Sequence, residues 1–179
     1  MSCILKQIIK TGILTEPPPS STVEEWRVGV KPLHELILKA FGRAASIRHV
    51  DAGSCYGCEL EINALHNPYY NIEGLGIRFV ASPRHADLLL VTGPVSRNMV
   101  VALKRTYESM PDPKLVVAIG NCGCTGGLFG ESYATCGPVS AVIPVDVAVP
   151  GCPPNPYAIL QGILTAVQQP TRREESTKV

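Results

Sequence analysis

Cysteine is the residue type in this sequence whose placement could do chemistry. Cys55 and Cys58 stand in Gly53-Ser54-Cys55-Tyr56-Gly57-Cys58-Glu59, Cys122 in Gly120-Asn121-Cys122-Gly123, and Cys152 in Pro150-Gly151-Cys152-Pro153-Pro154. Four thiolates delivered by three separate loops are what one cubane iron-sulfur cluster needs, so the pattern points to electron transfer. Glycine beside each thiol lets the backbone approach inorganic sulfide with its N–H groups turned inward. The prolines flanking Cys152 fix the chain and reduce its amide donors, which stiffens a loop whose thiolate must stay in place.

Other chemistries use the same residue type. Zinc takes a C-x-x-C, but a structural zinc ribbon pairs it with a second such motif or with histidines nearby. Thioredoxin-type exchange uses a C-x-x-C opening a helix, and it leaves Cys122 and Cys152 without a task. Zinc, a disulfide switch and buried structural cysteines are therefore the alternatives to the cluster. Cys124 and Cys136 read as small buried residues near it, since a free cysteine behaves as a small hydrophobe. Cys124 is also an alternate-ligand candidate, and Cys3 has no assigned role.

The chain has 179 residues, of which 45% are hydrophobic and 17% charged. That length holds one domain with tails and a real core. The low charge content implies that partners cover some of the surface. A net charge of +1 argues against a nucleic-acid partner. No apolar run is long enough to span a bilayer, and Met1 to Leu14 lacks signal-peptide features. Seven cysteines without an export signal imply a reducing compartment.

The elements that must position the thiols follow from the apolar pattern. Ile47 to Val50, Ile77 to Val80, Leu88 to Val91, Leu115 to Ile119 and Val145 to Val149 read as strands. Glu59 to Leu65, Asn98 to Met110 and Tyr157 to Val167 have helical patterning. Such alternation predicts an α/β fold, an open parallel sheet with helices on both faces. All four cysteines then fall beyond the carboxyl ends of strands, where open α/β sheets bind ligands. Residues 1–45 form an arm: a periodic run from Cys3 to Thr15, a stiff Pro17-Pro18-Pro19-Ser20-Ser21 linker, and a helical stripe through Leu33, Leu36, Ile37, Ala40 and Phe41. It is expected to contact a membrane surface or partner subunits. Residues 46–168 form the cluster domain and 169–179 a polar tail.

From about Ile47 to Val167 the sequence resembles the small, cluster-bearing subunit shared by nickel-iron hydrogenases and respiratory complex I. The likeness is greatest to the membrane-bound, complex I-related hydrogenases of the formate hydrogenlyase type. It is carried by Gly53-Ser54-Cys55-Tyr56-Gly57-Cys58-Glu59-Leu60-Glu61-Ile62, Ser82-Pro83-Arg84-His85-Ala86-Asp87, Val91-Thr92-Gly93-Pro94-Val95, Gly120-Asn121-Cys122-Gly123 with Gly126-Gly127, and Pro144-Val145-Asp146 running into Val149-Pro150-Gly151-Cys152-Pro153-Pro154. The resemblance implies a flavodoxin-like domain with one 4Fe-4S cluster on Cys55, Cys58, Cys122 and Cys152. Its implied partners are a large catalytic subunit carrying nickel and iron, a ferredoxin-like iron-sulfur subunit and integral membrane subunits. The implied place is the cytoplasmic face of the membrane. Complex I subunits have the first two ligands adjacent, and hydrogenase subunits separate them by two residues as here. The long extra cluster domain of uptake hydrogenases is not expected. A nickel-free quinone- or sulfur-reducing relative is the alternative function.

Among other polar residues, Glu59 is a candidate for a proton path or a partner contact, or an ordinary first-turn acid favoured by the helix dipole. Glu61 lies on another side of the same helix. Arg84 and His85 are expected to make subunit contacts or buried hydrogen bonds, and Asp146 reads as a structural acid. Gly120 to Gly130 lacks the phosphate-binding glycine patterns, so its glycines are referred to the adjacent thiols.

Overall fold

A computed structural model describes residues 43–168. The arm expected over 1–45, apart from its last three residues, and the tail expected over 169–179 lie outside the described residues. Five strands form one sheet: β1 (Ala45–Asp51), β2 (Ile77–Phe79), β3 (Leu88–Thr92), β4 (Leu115–Ile119) and β5 (Val147–Val149). All neighbours are parallel, in the order β2-β1-β3-β4-β5. This is the flavodoxin-like doubly wound order.

The two central strands explain themselves. Leu88-Leu89-Leu90-Val91-Thr92 and Leu115-Val116-Val117-Ala118-Ile119 are buried at every position, as a parallel strand covered on both faces must be. Alternate side chains enter two separate cores. On one face Ile47, Leu88, Leu90, Val117 and Ile119 pack against α1 (Gly57–Ala64) and α4 (Pro156–Gln168) through Ile62, Ile159 and Ile163. On the other, Val50, Leu89, Val91, Val116 and Ala118 pack against α2 (Val100–Ser109) through Leu103, with Val139 and Ile143 alongside. Residues such as Leu90 and Leu103 have no exposed surface, and each contributes about 1.5–3 kcal/mol by leaving water.

A short helix, α3 (Gly120–Thr125), occupies a stretch expected to be loop. Glycine and cysteine give it little intrinsic propensity, so it depends on packing against β4 and β5. β5 begins at Val147, two residues later than expected. Asp146 makes the link there, its backbone N–H donating to the Val116 carbonyl at 2.9 Å while Oδ2 accepts from Val116 N–H at 2.8 Å. That is the structural role read for Asp146. At the start of β1, Asp87 Oδ2 accepts from Ser46 N–H at 2.9 Å and pairs with Arg43 at 2.6 Å.

Candidate functional site

Three loops at the carboxyl ends of the strands carry the thiols. After β1, Asp51 Oδ1 accepts from the N–H groups of Gly53 and Ser54 at 2.8 and 2.7 Å. This Asx turn swings the chain outward. Ser54 Oγ accepts from Tyr56 N–H at 3.1 Å, and Tyr56 takes a left-handed conformation at φ 72° before α1 begins. A non-glycine residue held there is uncommon and marks a constrained turn. The turn leaves Cys55 exposed and turns Cys58 into the core.

Cys122 comes from α3 after β4, and Cys152 from the loop after β5. Asn121 joins those two loops: its N–H donates to the Gly151 carbonyl at 2.7 Å, and its Oδ1 accepts from Gly151 N–H at 2.8 Å. The four thiols feel one another electrostatically. The Cys58 thiol is pushed up to about 12 by burial, then by the neighbouring Glu59 charge and by Cys55, Cys122 and Cys152. Burial also raises Cys122, with Cys152 and Cys55 adding to it. Thiols gathered this way resist ionisation, and a bound metal cation would reverse that balance.

The backbone around the thiols leaves them little spare room. A Cβ on Gly120 would lie 2.6 Å from Cys58 Sγ, and one on Gly127 would lie 2.7 Å from Cys122 Sγ. Glycine is required at both positions for the sulfurs to stand where they do. Among the described residues no three acids, histidines or cysteines are close enough to share one metal ion. A cubane takes each thiolate on a different iron, so its ligands stand further apart than those of a single zinc. Four thiols on glycine-framed loops are a donor set that fits an iron-sulfur cluster. No disulfide joins the described cysteines.

Cys124 points elsewhere. Its Sγ donates to the Ala118 carbonyl at 3.7 Å, and the side chain packs on the second core with Cys136. Burial raises its thiol, and no other cysteine contributes to that shift. Two residues along a helix lie about 200° apart at 3.6 residues per turn, so Cys122 and Cys124 face opposite ways. Cys124 and Cys136 pack on that second core but are only partly buried, less than the small buried residues expected.

Glu59 differs from an ordinary first-turn acid. It is only 5% exposed. Thr92 Oγ1, on the last residue of β3, donates to Glu59 Oε1, and His49 Nε2 lies 3.1 Å from the same hydroxyl. Among the described residues, Glu59 Oε2 is buried and has no hydrogen-bond partner. Burial lowers the His49 pKa despite the opposing charges of Glu59 and Asp51, because its desolvation outweighs their attraction. Arg84 and His85 are exposed on a 3-10 turn (Pro83–His85), which favours a contact role over a buried hydrogen bond. Five of the seven large apolar side chains left in solvent among the described residues stand on the thiol-bearing segments, Tyr56, Leu60, Leu128, Phe129 and Tyr133, while Tyr69 and Val101 lie elsewhere. Leu128 is 96% exposed and Tyr133 94%, values that suit a surface waiting for a partner.

A doubly wound sheet with a cysteine cluster at its loop end defines a small redox-type α/β domain. The chain belongs to the NADH ubiquinone oxidoreductase, 20 Kd subunit family, which matches residues 55–166, and it is an oxidoreductase subunit. It is 50% identical over 133 residues to the "Probable membrane-bound hydrogenase subunit mbhJ" of Pyrococcus furiosus, covering 74% of this chain and 80% of that one. It is 43% identical over 150 residues to formate hydrogenlyase subunit 7 of Escherichia coli, covering 84% of this chain and 58% of the relative. Among solved structures, a chain of the membrane-bound sulfane sulfur reductase, an archaeal respiratory membrane complex, superposes with a TM-score of 0.62 at 36% identity over 73% of each chain. No helix among the described residues is long and apolar enough to cross a membrane.

Proposed function

We propose that this chain is the electron-relay subunit of a membrane-bound, complex I-related nickel-iron hydrogenase, holding one 4Fe-4S cluster on Cys55, Cys58, Cys122 and Cys152. The observation that carries this reading is the convergence of four cysteines from three loops, with the Cys58 and Cys122 sulfurs cradled against Gly120 and Gly127. When bound, the cluster supplies a one-electron store. The chain's own residues orient the thiolates, exclude water behind Cys58 and present an apolar rim to a large catalytic subunit. A ferredoxin-like subunit is the electron partner on the other side. Integral membrane subunits anchor the assembly at the cytoplasmic face. The separation of Cys55 from Cys58 and the likeness to the Pyrococcus furiosus and Escherichia coli subunits support hydrogen as the terminal chemistry.

Likeness to the sulfane sulfur reductase chain favours a second reading, a nickel-free sulfur-reducing complex built on the same relay. The test is metal and sulfide content of the anaerobically purified complex captured through this chain, with hydrogen-dependent dye reduction on the same sample. Nickel with hydrogen activity supports the first reading. Iron and acid-labile sulfide without nickel or hydrogen activity supports the second. Absence of both iron and sulfide overturns the relay. Cys122→Ser should abolish the reducible cluster signal, and Cys124→Ser should leave it.

A further inference from the structure

The loop carrying Cys152 is weakly held by ordinary means. β5 is an edge strand of three residues, paired with β4 only at Val117↔Val147, Ala118↔Ala148 and Ile119↔Val149. Beyond it the chain runs Pro150-Gly151-Cys152-Pro153-Pro154, so only Gly151 and Cys152 offer an amide hydrogen. On the other side β4 has already turned into α3, where carbonyls follow the helix axis; that of Asn121 accepts from Thr125 Oγ1 at 3.0 Å. Past Ile119 and Val149 the ladder keeps one main-chain bond, from Asn121 N–H to the Gly151 carbonyl, and the Gly151 N–H has a side-chain acceptor in place of a strand carbonyl.

The Asn121 side chain is that acceptor. Its Oδ1 accepts from Gly151 N–H at 2.8 Å, in the place a strand carbonyl would occupy, while the Asn121 backbone N–H donates to the Gly151 carbonyl at 2.7 Å. The two bonds close a ring between the residue before Cys122 and the residue before Cys152. We propose that Asn121 is a positioning residue, a side-chain clamp that sets the separation of the Cys122 and Cys152 thiols before and after metal enters. This inference rests on the ligand set proposed above. Asn121 touches no iron; it acts through the Gly151 amide.

Two substitutions separate the clamp from general loss of structure. Asn121→Asp keeps an acceptor oxygen at the same reach, whereas Asn121→Leu keeps the bulk and removes it. In the purified complex, three properties are measured anaerobically: iron release to a chelator, the electron paramagnetic resonance spectrum of the reduced cluster, and its midpoint potential. Leu at 121 should speed iron release about fivefold, the effect of losing one neutral hydrogen bond of usual net worth, and alter the spectrum. Asp at 121 should restore the release rate to within about twofold of wild type, with a more negative potential from its added charge. Wild-type release and spectrum in the Leu variant overturn the clamp, as does an Asp variant that releases iron as fast as the Leu variant.

A second readout does not depend on the cluster. In the metal-free full chain, hydrogen exchange at the Gly151 amide should be protected in wild type and in Asn121→Asp, and unprotected in Asn121→Leu. A wild-type Gly151 amide that exchanges at the rate of an unprotected loop overturns the clamp, even if the Leu variant does not assemble. A wild-type complex without iron and sulfide, beside a protected Gly151 amide, overturns the relay reading and leaves the clamp standing.

Discussion

Thr92→Val tests whether the buried polar group behind Cys58 is a single energetic unit. Thr92 is fully buried, and its hydroxyl is the hub: it donates to Glu59 Oε1 and lies 3.1 Å from His49 Nε2. Since a hydroxyl has one proton, donation to the carboxylate leaves its lone pair to accept from His49 Nε2–H, which assigns the imidazole tautomer. Valine has nearly the same shape and neither function. Removing a hydrogen bond to a charged acceptor costs about 1.5–3 kcal/mol, and Glu59 would then hold two unsatisfied oxygens, Oε2 being without a partner already. The added methyl returns about 0.8 kcal/mol of burial, so the net loss is about 1–2 kcal/mol, at the upper end because Glu59 is left with both oxygens unsatisfied. Urea unfolding of the reduced, metal-free full chain followed by circular dichroism should show a midpoint lower by about 1 M at an m-value of about 2 kcal/mol/M. The double variant Thr92→Val with Glu59→Met replaces both partners by apolar groups, a change that can be nearly neutral. His49, partly exposed, then turns to solvent. The double variant should therefore lose less than the two single losses added, with a coupling of about 2 kcal/mol. Strict additivity, or a Thr92→Val midpoint indistinguishable from wild type, would refute the hub.

Three other outcomes follow from named contacts. Gly120→Ala puts a Cβ 2.6 Å from Cys58 Sγ at a residue with φ +83°; left-handed strain of about 1–2 kcal/mol and overpacking of about 1–3 kcal/mol should lower both stability and iron per chain. Normal iron content in that variant would contradict the cradle. His49 is held below its ordinary 6.5 mainly by burial, with Arg48 acting the same way and Glu59 and Asp51 opposing, so the unfolded chain binds more protons there than the native one. Stability should therefore fall as pH drops through 6.5 toward the lowered native value, and His49→Gln should flatten that part of the profile in urea titrations at pH 7.5 and 5.5. Leu128→Ser with Phe129→Ser alters side chains 96% and 61% exposed, so the chain's own stability should move by less than about 0.5 kcal/mol while co-purification of the large subunit drops; undiminished co-purification places the interface elsewhere.

How much of this was legible in the sequence depended on whether a residue's role was local. Leu88–Thr92 and Leu115–Ile119 are continuous apolar runs, and such runs announce a strand buried on both faces. The five strands and three long helices were readable for that reason, with ends shifted by one or two residues. α3 was not, because two glycines and two cysteines in six residues carry no periodic signal and the helix exists only against β4 and β5. Had it been recognised, the opposite facing of Cys122 and Cys124 would have followed from helical geometry alone. The burial of Glu59 was hidden too. An acid in a helix's first turn reads as solvated, and its partner Thr92 is supplied by another strand. Asn121 stood in a quoted motif, yet its bond to Gly151 spans thirty residues and depends on β4 and β5 being neighbours.

That division explains why the thiols were easier to find than the residues that hold them. A ligand must present one side-chain chemistry, so the proposed ligands Cys55, Cys58, Cys122 and Cys152 were visible as letters. A residue that fixes a ligand needs only a hydrogen bond of the right reach, which asparagine, aspartate, serine and threonine can each supply in a suitable frame. Asp51, Ser54, Asn121 and Thr92 do this here, each by a different bond, the first two in the one turn after β1. The positions that tune the site are thus spread among common polar residues at the carboxyl ends of β1, β3 and β4. They are also where the proposed cluster's potential would change without a change of cysteine, since hydrogen bonding and burial around the sulfurs set it.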